Sequence, residues 1–528
     1  MKSLGDALKK KEEVEAFPSE KIVFPQSDGK MRYIFITYDG YPLPMAKQLI
    51  DEGNDVWVGQ VMDNKDLHTE SGVASDEDKE TKRRRLSLYE GILVKHDAKK
   101  LIKAMASIEN KDDYFVIFDF NNLWRFSEEV LDLGFTKGFF PLEEDFELEK
   151  DRQLGKDIVE EYFPKLKVAP VHQFNDIDDA IGFLNENEGV YALKSDGNFA
   201  DTTVPLTNNT EFAKNELIRE LTKNREGWEK GFTLEEKIVD ATEFAPQIVF
   251  WNGEPLYYCV DMETRLIGSG DVGFQTGGIQ NVIIATEPDD KINEVFPDWV
   301  YERMKDRVGM TIFDAGILMD KKGDMYFTEF AGNRWGWGGA LSELSMARKG
   351  DRCASEYFEA IARGENPQKY KFGTCLSLYN IKADKEVLGC YKEGIPIQWD
   401  GTLDPYLFLY QIKKEPEDEE VGIEEQVVNV GYTNNLLGYV TGCGDTFEEA
   451  IDSVYEFTKD KMAFNGIYYR PKLDWVSYDY VSSLPNRFAR LNHEYFEAPD
   501  MASMKEYETD KRLNSMREKL DKLYGQED

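Results

Sequence analysis

Glu329, Asn333 and Arg334 stand close together in the stretch FTEFAGNRW. A carboxylate and an amide oxygen are hard ligands that suit Mg²⁺, and a guanidinium beside them suits the phosphate such an ion carries. A strand end with a solvated acid is the other reading of these three alone. Around them an apolar run at 313–319 meets a Lys-Lys-Gly-Asp turn and then a second apolar run at 325–330. This pattern predicts an antiparallel hairpin that delivers Glu329, Asn333 and Arg334 to the mouth of a cleft.

Further candidates lie upstream. Lys194 ends the strand expected in VYALKSDG, as a phosphate-binding cation or as an edge lysine. Glu235 and Glu236 precede an apolar pair and Glu243 opens the next strand. Such acids accept from an adenine amino group and a ribose hydroxyl, although paired exposed acids are common. Asn252-Gly253 marks a hairpin turn between alternating strands. RLIGSGDVGFQTGGIQN (265–281) is rich in glycine, either a mobile loop that lets backbone approach a ligand or an ordinary long turn. His68, His96, His172 and His493 are too scattered for a metal cluster or a triad.

The elements that position these residues follow from the rest of the chain. RYIFITYDGYPLPMAKQLIDEGNDVWVGQV predicts a βαβ unit, YFVIFDF another buried strand and SEEVLDLGF a helix, giving an α/β first domain with a mainly parallel sheet. The turn Tyr38-Asp39-Gly40-Tyr41-Pro42 lacks the glycines of a dinucleotide site. Lys82 to Arg85, flanked by acids, reads as a solvated loop rather than an address or a nucleic-acid contact. EKDRQLGKDIVEEYF predicts one helix, TCLSLYNI, GIPIQW and YLFLYQI a β-rich unit, and GDTFEEA a capped helix start. The expected domains are an N-terminal arm (1–30), an α/β domain (31–147), a central domain (148–366), a β-rich α+β domain (367–476) and a charged helical tail (477–528).

At 528 residues, with 41% apolar and 13% aromatic residues, the chain is long and apolar enough for several cores. A formal net charge of −37 argues against nonspecific binding to nucleic acid or anionic membrane. Five cysteines without CxxC predict neither a disulfide frame nor a zinc site, and with them a reducing, cytoplasmic location. No run of roughly 20 apolar residues or signal-peptide core is present.

The succession of stretches resembles the ATP-grasp ligases, and most closely the phosphoribosylamine–glycine ligases. The resemblance rests first on LGYVTGCGDTFEEA (437–450) and FNGIYYR (464–470), which match the family's C-terminal run. Glu235, Glu236, Ile238 and Glu243 look like its hinge Glu-Glu-x-Leu and following acid. ALKSDG is similar to its VVKADG, and Arg152 falls on its earlier cation. Ser269 to Gly278 looks like DGD-x-GPNTGG, and Glu329 to Arg334 like Glu-Phe-Asn-x-Arg with extra residues.

The resemblance implies an N-terminal α/β domain, an ATP-grasp fold and a C-terminal α+β domain. It implies ATP and Mg²⁺ (or Mn²⁺), with Glu329 and Asn333 on the metal, Lys194 and Arg152 on the phosphates, and Glu235, Glu236, Ile238 and Glu243 around the nucleoside. Thr276, Gly277 and Gly278 would contact the small acid, with Arg334 and Asp271 as catalytic residues. Amino acid, amine and ATP would be the partners of a monomer or weak dimer.

Departures gather on the acceptor side: Tyr38 to Pro44 and Asp119 to Asn122 replace the loops that face the sugar phosphate. The lid glycines are replaced at 198–203, and the Gly-Asp-Pro-Glu after the metal site at 335–339. Three readings follow: glycinamide ribonucleotide synthesis, ligation to another amine such as a modified nucleotide, or an inactive nucleotide-binding scaffold.

Overall fold

The computed structural model describes residues 22–472 apart from 68–76, 196–202, 206, 229–230, 240, 269–271, 321, 333–334, 336–337, 381–392, 399–405, 418–423, 433–435, 462 and 465–466. The first sheet is parallel, in the order β3 (Lys95–Asp97), β2 (Val56–Gln60), β1 (Arg32–Thr37), β4 (Tyr114–Phe118), β5 (Gly138–Phe139). The apolar β1 and β4 are buried along their whole length because helices cover both faces, as a parallel sheet requires. Phe24 stacks its edge on this domain, 5.1 Å from Trp57 and 5.8 Å from Tyr114 between ring centres.

Three small strands follow: β6 (Leu166–Val168), β7 (Val171–Phe174) and β8 (Tyr191–Ser195). With β9 (Phe232–Glu236) the last two make the sheet β7-β9-β8, backed by the helices Ile177–Glu186 and Thr210–Lys223. The chain then forms long antiparallel strands, β10 (Thr242–Trp251), β11 (Glu254–Gly268) and β12 (Val272–Thr286). Asn252 and Gly253 turn β10 into β11 with φ of 50° and 83°, the left-handed pair that a tight hairpin demands. β13 (Met310–Asp314) pairs antiparallel with β10 and parallel with β5, which joins the first sheet to the second.

At Ala315 the chain leaves this sheet, and β14 (Gly316–Met319) and β15 (Met325–Glu329) form the expected hairpin against the start of β10. β16 (Phe372–Asn380) then joins β12, and β21 (Leu436–Gly444) joins β16. Between them in sequence lie β17 (Ile397–Gln398), β18 (Leu407–Leu409), β19 (Ile412–Glu415) and β20 (Gln426–Asn429). The wholly buried helix Gly338–Met346 packs across β12, β16 and β21.

Several expectations are corrected. Lys82 to Arg85 is not a solvated loop but the body of the helix Lys79–Ser87, capped by Asp78. Arg85 is fully buried against Glu77 at 2.8 Å and lies 3.9 Å from the Tyr38 ring centre, so its charge and its flat face are both satisfied. The glycine-rich 265–281 is largely strand, its described residues forming the far end of the β11–β12 hairpin. The single helix expected from 148 is two, Glu143–Lys150 and Arg152–Tyr162, because Asp151 leaves helical backbone and caps the second by accepting from Leu154 N at 2.9 Å. YLFLYQI divides between β18 and β19, which pair with different strands. The helical tail lies outside the described residues.

Candidate active site

Strand alternation builds the site. Asp261, Glu263 and Arg265 occupy every second position of β11, so they share one face of the sheet. Register brings Ala245 of β10 opposite Asp261, and Gln247 opposite Asp314 of β13. The hairpin beyond Ala315 folds Glu329 over Gly316. The result is a cavity of about 310 Å³ lined by the acids Glu243, Asp261, Glu263, Asp314 and Glu329. Among its described lining residues Arg265 is the one cation. It reaches Glu243 at 3.3 Å and Glu263 at 3.2 Å, and the charge of Glu243 above all, with Glu263 and Glu329, holds its guanidinium protonated.

The other wall is aromatic: Tyr41, Phe120, Tyr379 and Tyr439, with Leu436. Tyr41 stacks on Tyr410 at 4.7 Å and meets Phe120 edge-on at 5.5 Å. Asp261, which lines this cavity, is 3% exposed, and its Oδ1 is buried without a hydrogen-bond partner. Burial, then the neighbouring Glu263 and Glu343, push its carboxyl well above the ordinary range. Asp314 Oδ1 accepts from Ala331 N at 2.8 Å, which ties the end of β13 to the chain that follows Glu329.

A second charged group forms where the small sheet meets the helix Arg152–Tyr162. Glu235 accepts from Lys156 at 2.6 Å and from Lys194 at 2.7 Å. Burial alone would raise the Glu235 carboxyl, but the two ammonium groups outweigh it and hold the group below its usual range. Burial lowers the Lys194 ammonium. Arg152 sits exposed one turn before Lys156, near enough to add to the positive field at Lys194.

No family model matches this chain, and no curated protein matches it in sequence. Among solved structures, the phosphoribosylamine–glycine ligase of Thermotoga maritima superposes with a TM-score of 0.51 at 14% identity, over 83% of this chain and 99% of that one. The fold is that of the ATP-grasp ligases. The biotin carboxylase domain of the Hydrogenobacter thermophilus 2-oxoglutarate carboxylase is also similar, with a TM-score of 0.49 at 12% identity over 83% of this chain and 92% of that one. So is the phosphoribosylglycinamide synthetase of Anaerococcus prevotii, at 0.46 and 12% over 83% and 100%.

Within this ATP-grasp fold the expected residues fall in two places. Glu243, Gly278 and Glu329 line the cavity. Thr276 lies beside it on β12, its hydroxyl donating to Arg265 O at 2.6 Å, and Gly277 continues that strand. Arg152, Lys194 and Glu235 belong to the charged group on the small sheet. Glu236 is exposed at the end of β9, its N–H donating to Pro170 O at 2.9 Å, and Ile238 follows it half-buried. Asp271, Asn333 and Arg334 lie outside the described residues. Asp261, Glu263, Arg265, Asp314 and Lys156 escaped sequence reasoning. A signal existed for three of them: VDMETRL alternates charge at every second position of a strand that is otherwise apolar.

Two carboxylates from the chain, Asp314 and Glu329, suit a divalent cation whose remaining ligands are phosphate oxygens and water. Among the described residues no three histidine, cysteine or acidic side chains converge at metal-binding distance.

Proposed function

We propose that this chain is an ATP-dependent carboxylate–amine ligase. The observation that carries the reading is the pairing of Asp314 with Glu329 in one cavity on an ATP-grasp fold. A substrate carboxylate would attack the γ-phosphorus of ATP to give an acyl phosphate and ADP. The amine would then form the C–N bond as phosphate leaves with the C–O pair. Bound Mg²⁺ would neutralise charge on the terminal phosphates, and Asp314 and Glu329, with Asn333, would hold it.

Lys194 and Arg152 would meet the phosphates. Glu235, engaged by Lys156 and Lys194, is read here as the residue that aims both ammonium groups, while Glu236 and Ile238 serve the adenine edge and Glu243 the ribose. Thr276, Gly277 and Gly278 would seat the small acid, with Asp271 and Arg334 beside the reacting carboxylate. Positioning and charge neutralisation carry most of phosphoryl transfer, which is why the scheme asks for placed cations rather than a nucleophilic side chain. Glycinamide ribonucleotide synthesis, in a reducing cytoplasm, is the version of this reaction that the resemblance implies. Among the described residues Cys259, Cys353, Cys375 and Cys443 are buried and in no disulfide.

The test is ADP release from purified protein with MgATP, glycine and phosphoribosylamine, beside reactions lacking the amine. Glu329→Ala and Asp314→Asn should each lower ADP release by at least about 100-fold. ADP release that ignores both substitutions would remove the cavity from the reaction. Growth of a host lacking the purine enzyme, once supplied with this chain, tests the glycinamide ribonucleotide version.

A further inference from the structure

The acceptor wall carries chemistry unlike that of a sugar-phosphate site. Both loops that depart from the family turn an aromatic ring into the cavity, Tyr41 from the loop after β1 and Phe120 from the loop after β4. These loops bring acids rather than cations. Asp39 accepts from Tyr432 Oη at 2.7 Å, and Asp119 accepts from Thr37 Oγ1 while its Oδ1 is buried without a partner. Behind them Arg85 is fully buried on Glu77 and the Tyr38 ring.

Across the cavity Arg265 is held by Glu243 and Glu263, so it is already neutralised. Allotting Asp314 and Glu329 to a divalent ion leaves Asp261 in the lining, its Oδ1 buried without a hydrogen-bond partner, in the same cavity as the rings of Tyr41, Tyr379 and Tyr439. A dianionic phosphate in this place would meet carboxylates and aromatic rings and, among the described lining residues, no cation except the paired Arg265. An ammonium group suits both, because it favours the ionised form of the Asp261 carboxyl, which burial alone keeps protonated, and aromatic rings attract a cation.

We infer that the acceptor is an unphosphorylated amine, taken as its ammonium ion with an apolar or aromatic body, held between Asp261 and the wall of Tyr41, Phe120, Tyr379 and Tyr439. The inference deepens the ligase reading and rests on it only for the word acceptor. A carboxylate and aromatic rings select the ammonium, and the rings and Leu436 select the body behind it. Glycinamide ribonucleotide synthesis would then not be the reaction of this chain.

The experiment measures binding of three probes to the full chain by calorimetry: tyramine, its uncharged counterpart p-cresol, and phosphoethanolamine. Tyramine should bind at least about tenfold more tightly than either of the others, the ratio expected for a desolvated cation on aromatic faces. Asp261→Asn should weaken tyramine about tenfold and leave p-cresol unchanged. Tyr41→Ala should weaken both, and it carries the test if the buried Asp261 variant does not fold. Phosphoethanolamine binding as tightly as tyramine, or tyramine binding indifferent to both substitutions, overturns the inference. MgATP binding and ADP release are followed separately. Tyramine binding without nucleotide turnover would sink the ligase reading and keep this one, and turnover that needs a phosphorylated amine would do the reverse.

Discussion

Glu343 shows how a single buried acid sets a pH response. It lies in the helix Gly338–Met346, 2% exposed, accepting from Tyr257 Oη at 2.6 Å while Tyr257 Oη sits 2.5 Å from Tyr357 Oη. Burial raises its carboxyl to about 7. A raised acid keeps its proton in the folded chain over a range where the unfolded chain has lost it. Its stabilising effect is therefore complete below the unfolded value, near 4.5, and is lost as pH climbs to about 7. The difference approaches roughly 3 kcal/mol. Glu343→Gln keeps an acceptor for Tyr257 and removes the titration. Urea unfolding at pH 5 and pH 8 should show the variant gaining on the parent chain at the higher pH by a large part of that amount. Equal differences at both values would mean that Glu343 is ionised throughout.

At the scale of elements, the helix Ala354–Ala362 is capped from a distant part of the chain. Cys353 at its cap position makes no side-chain cap hydrogen bond. Glu52, which ends the helix Leu43–Asp51, accepts from Cys353 N at 2.8 Å, Ala354 N at 3.1 Å and Ser355 N at 2.7 Å. A carboxylate at a helix N-terminus satisfies orphan donors and opposes the helix dipole. The capped helix in turn presses Phe358 against Tyr33 and Phe115, at 5.9 and 5.2 Å between ring centres. Glu52→Ala should cost about 2 kcal/mol, read as a lower denaturant midpoint at unchanged slope, while Glu52→Gln should cost less than half as much. Equal losses would show that the charge, rather than the hydrogen bonds, makes the cap.

For the molecule as a whole, charge is the dominant variable. A net charge of −37 repels itself, and the described ion pairs tie parts of the chain together against that repulsion. The helix Lys79–Ser87 reaches the C-terminal region through Arg83 to Glu393 and through Arg84 Nη1 to Gly431 O at 2.7 Å. Tyr410 Oη donates to Asp39 O at 2.8 Å from the other side. Raising ionic strength from about 0.01 M to 0.15 M shortens the screening length from about 30 Å to about 8 Å, which weakens long-range repulsion more than these short contacts. The melting temperature should therefore rise with salt over that range. A fall would mean that the cross-links outweigh the repulsion. Among the described residues no helix is long and apolar enough to cross a membrane.

The α/β class, the βαβ unit at β1 and β2, the Asn252-Gly253 hairpin and the hairpin carrying Glu329 were legible in the sequence, because each is dictated by short-range periodicity or by a turn that few residues can make. Glu243 and Glu329 were legible for the same reason, as acids at strand ends. The partners of those acids were not. Asp314 reaches the cavity because the chain leaves one sheet for another at Ala315, and Asp261, Glu263 and Arg265 share a face only through the pairing of β10, β11 and β13. Lys156 meets Glu235 across 79 residues, and Arg85 is buried by elements 8 to 47 residues away. Local pattern determined which residues could carry charge into a strand or helix. Register and sheet packing decided which of those charges meet, since burial and pairing depend on contacts between segments that no local periodicity encodes.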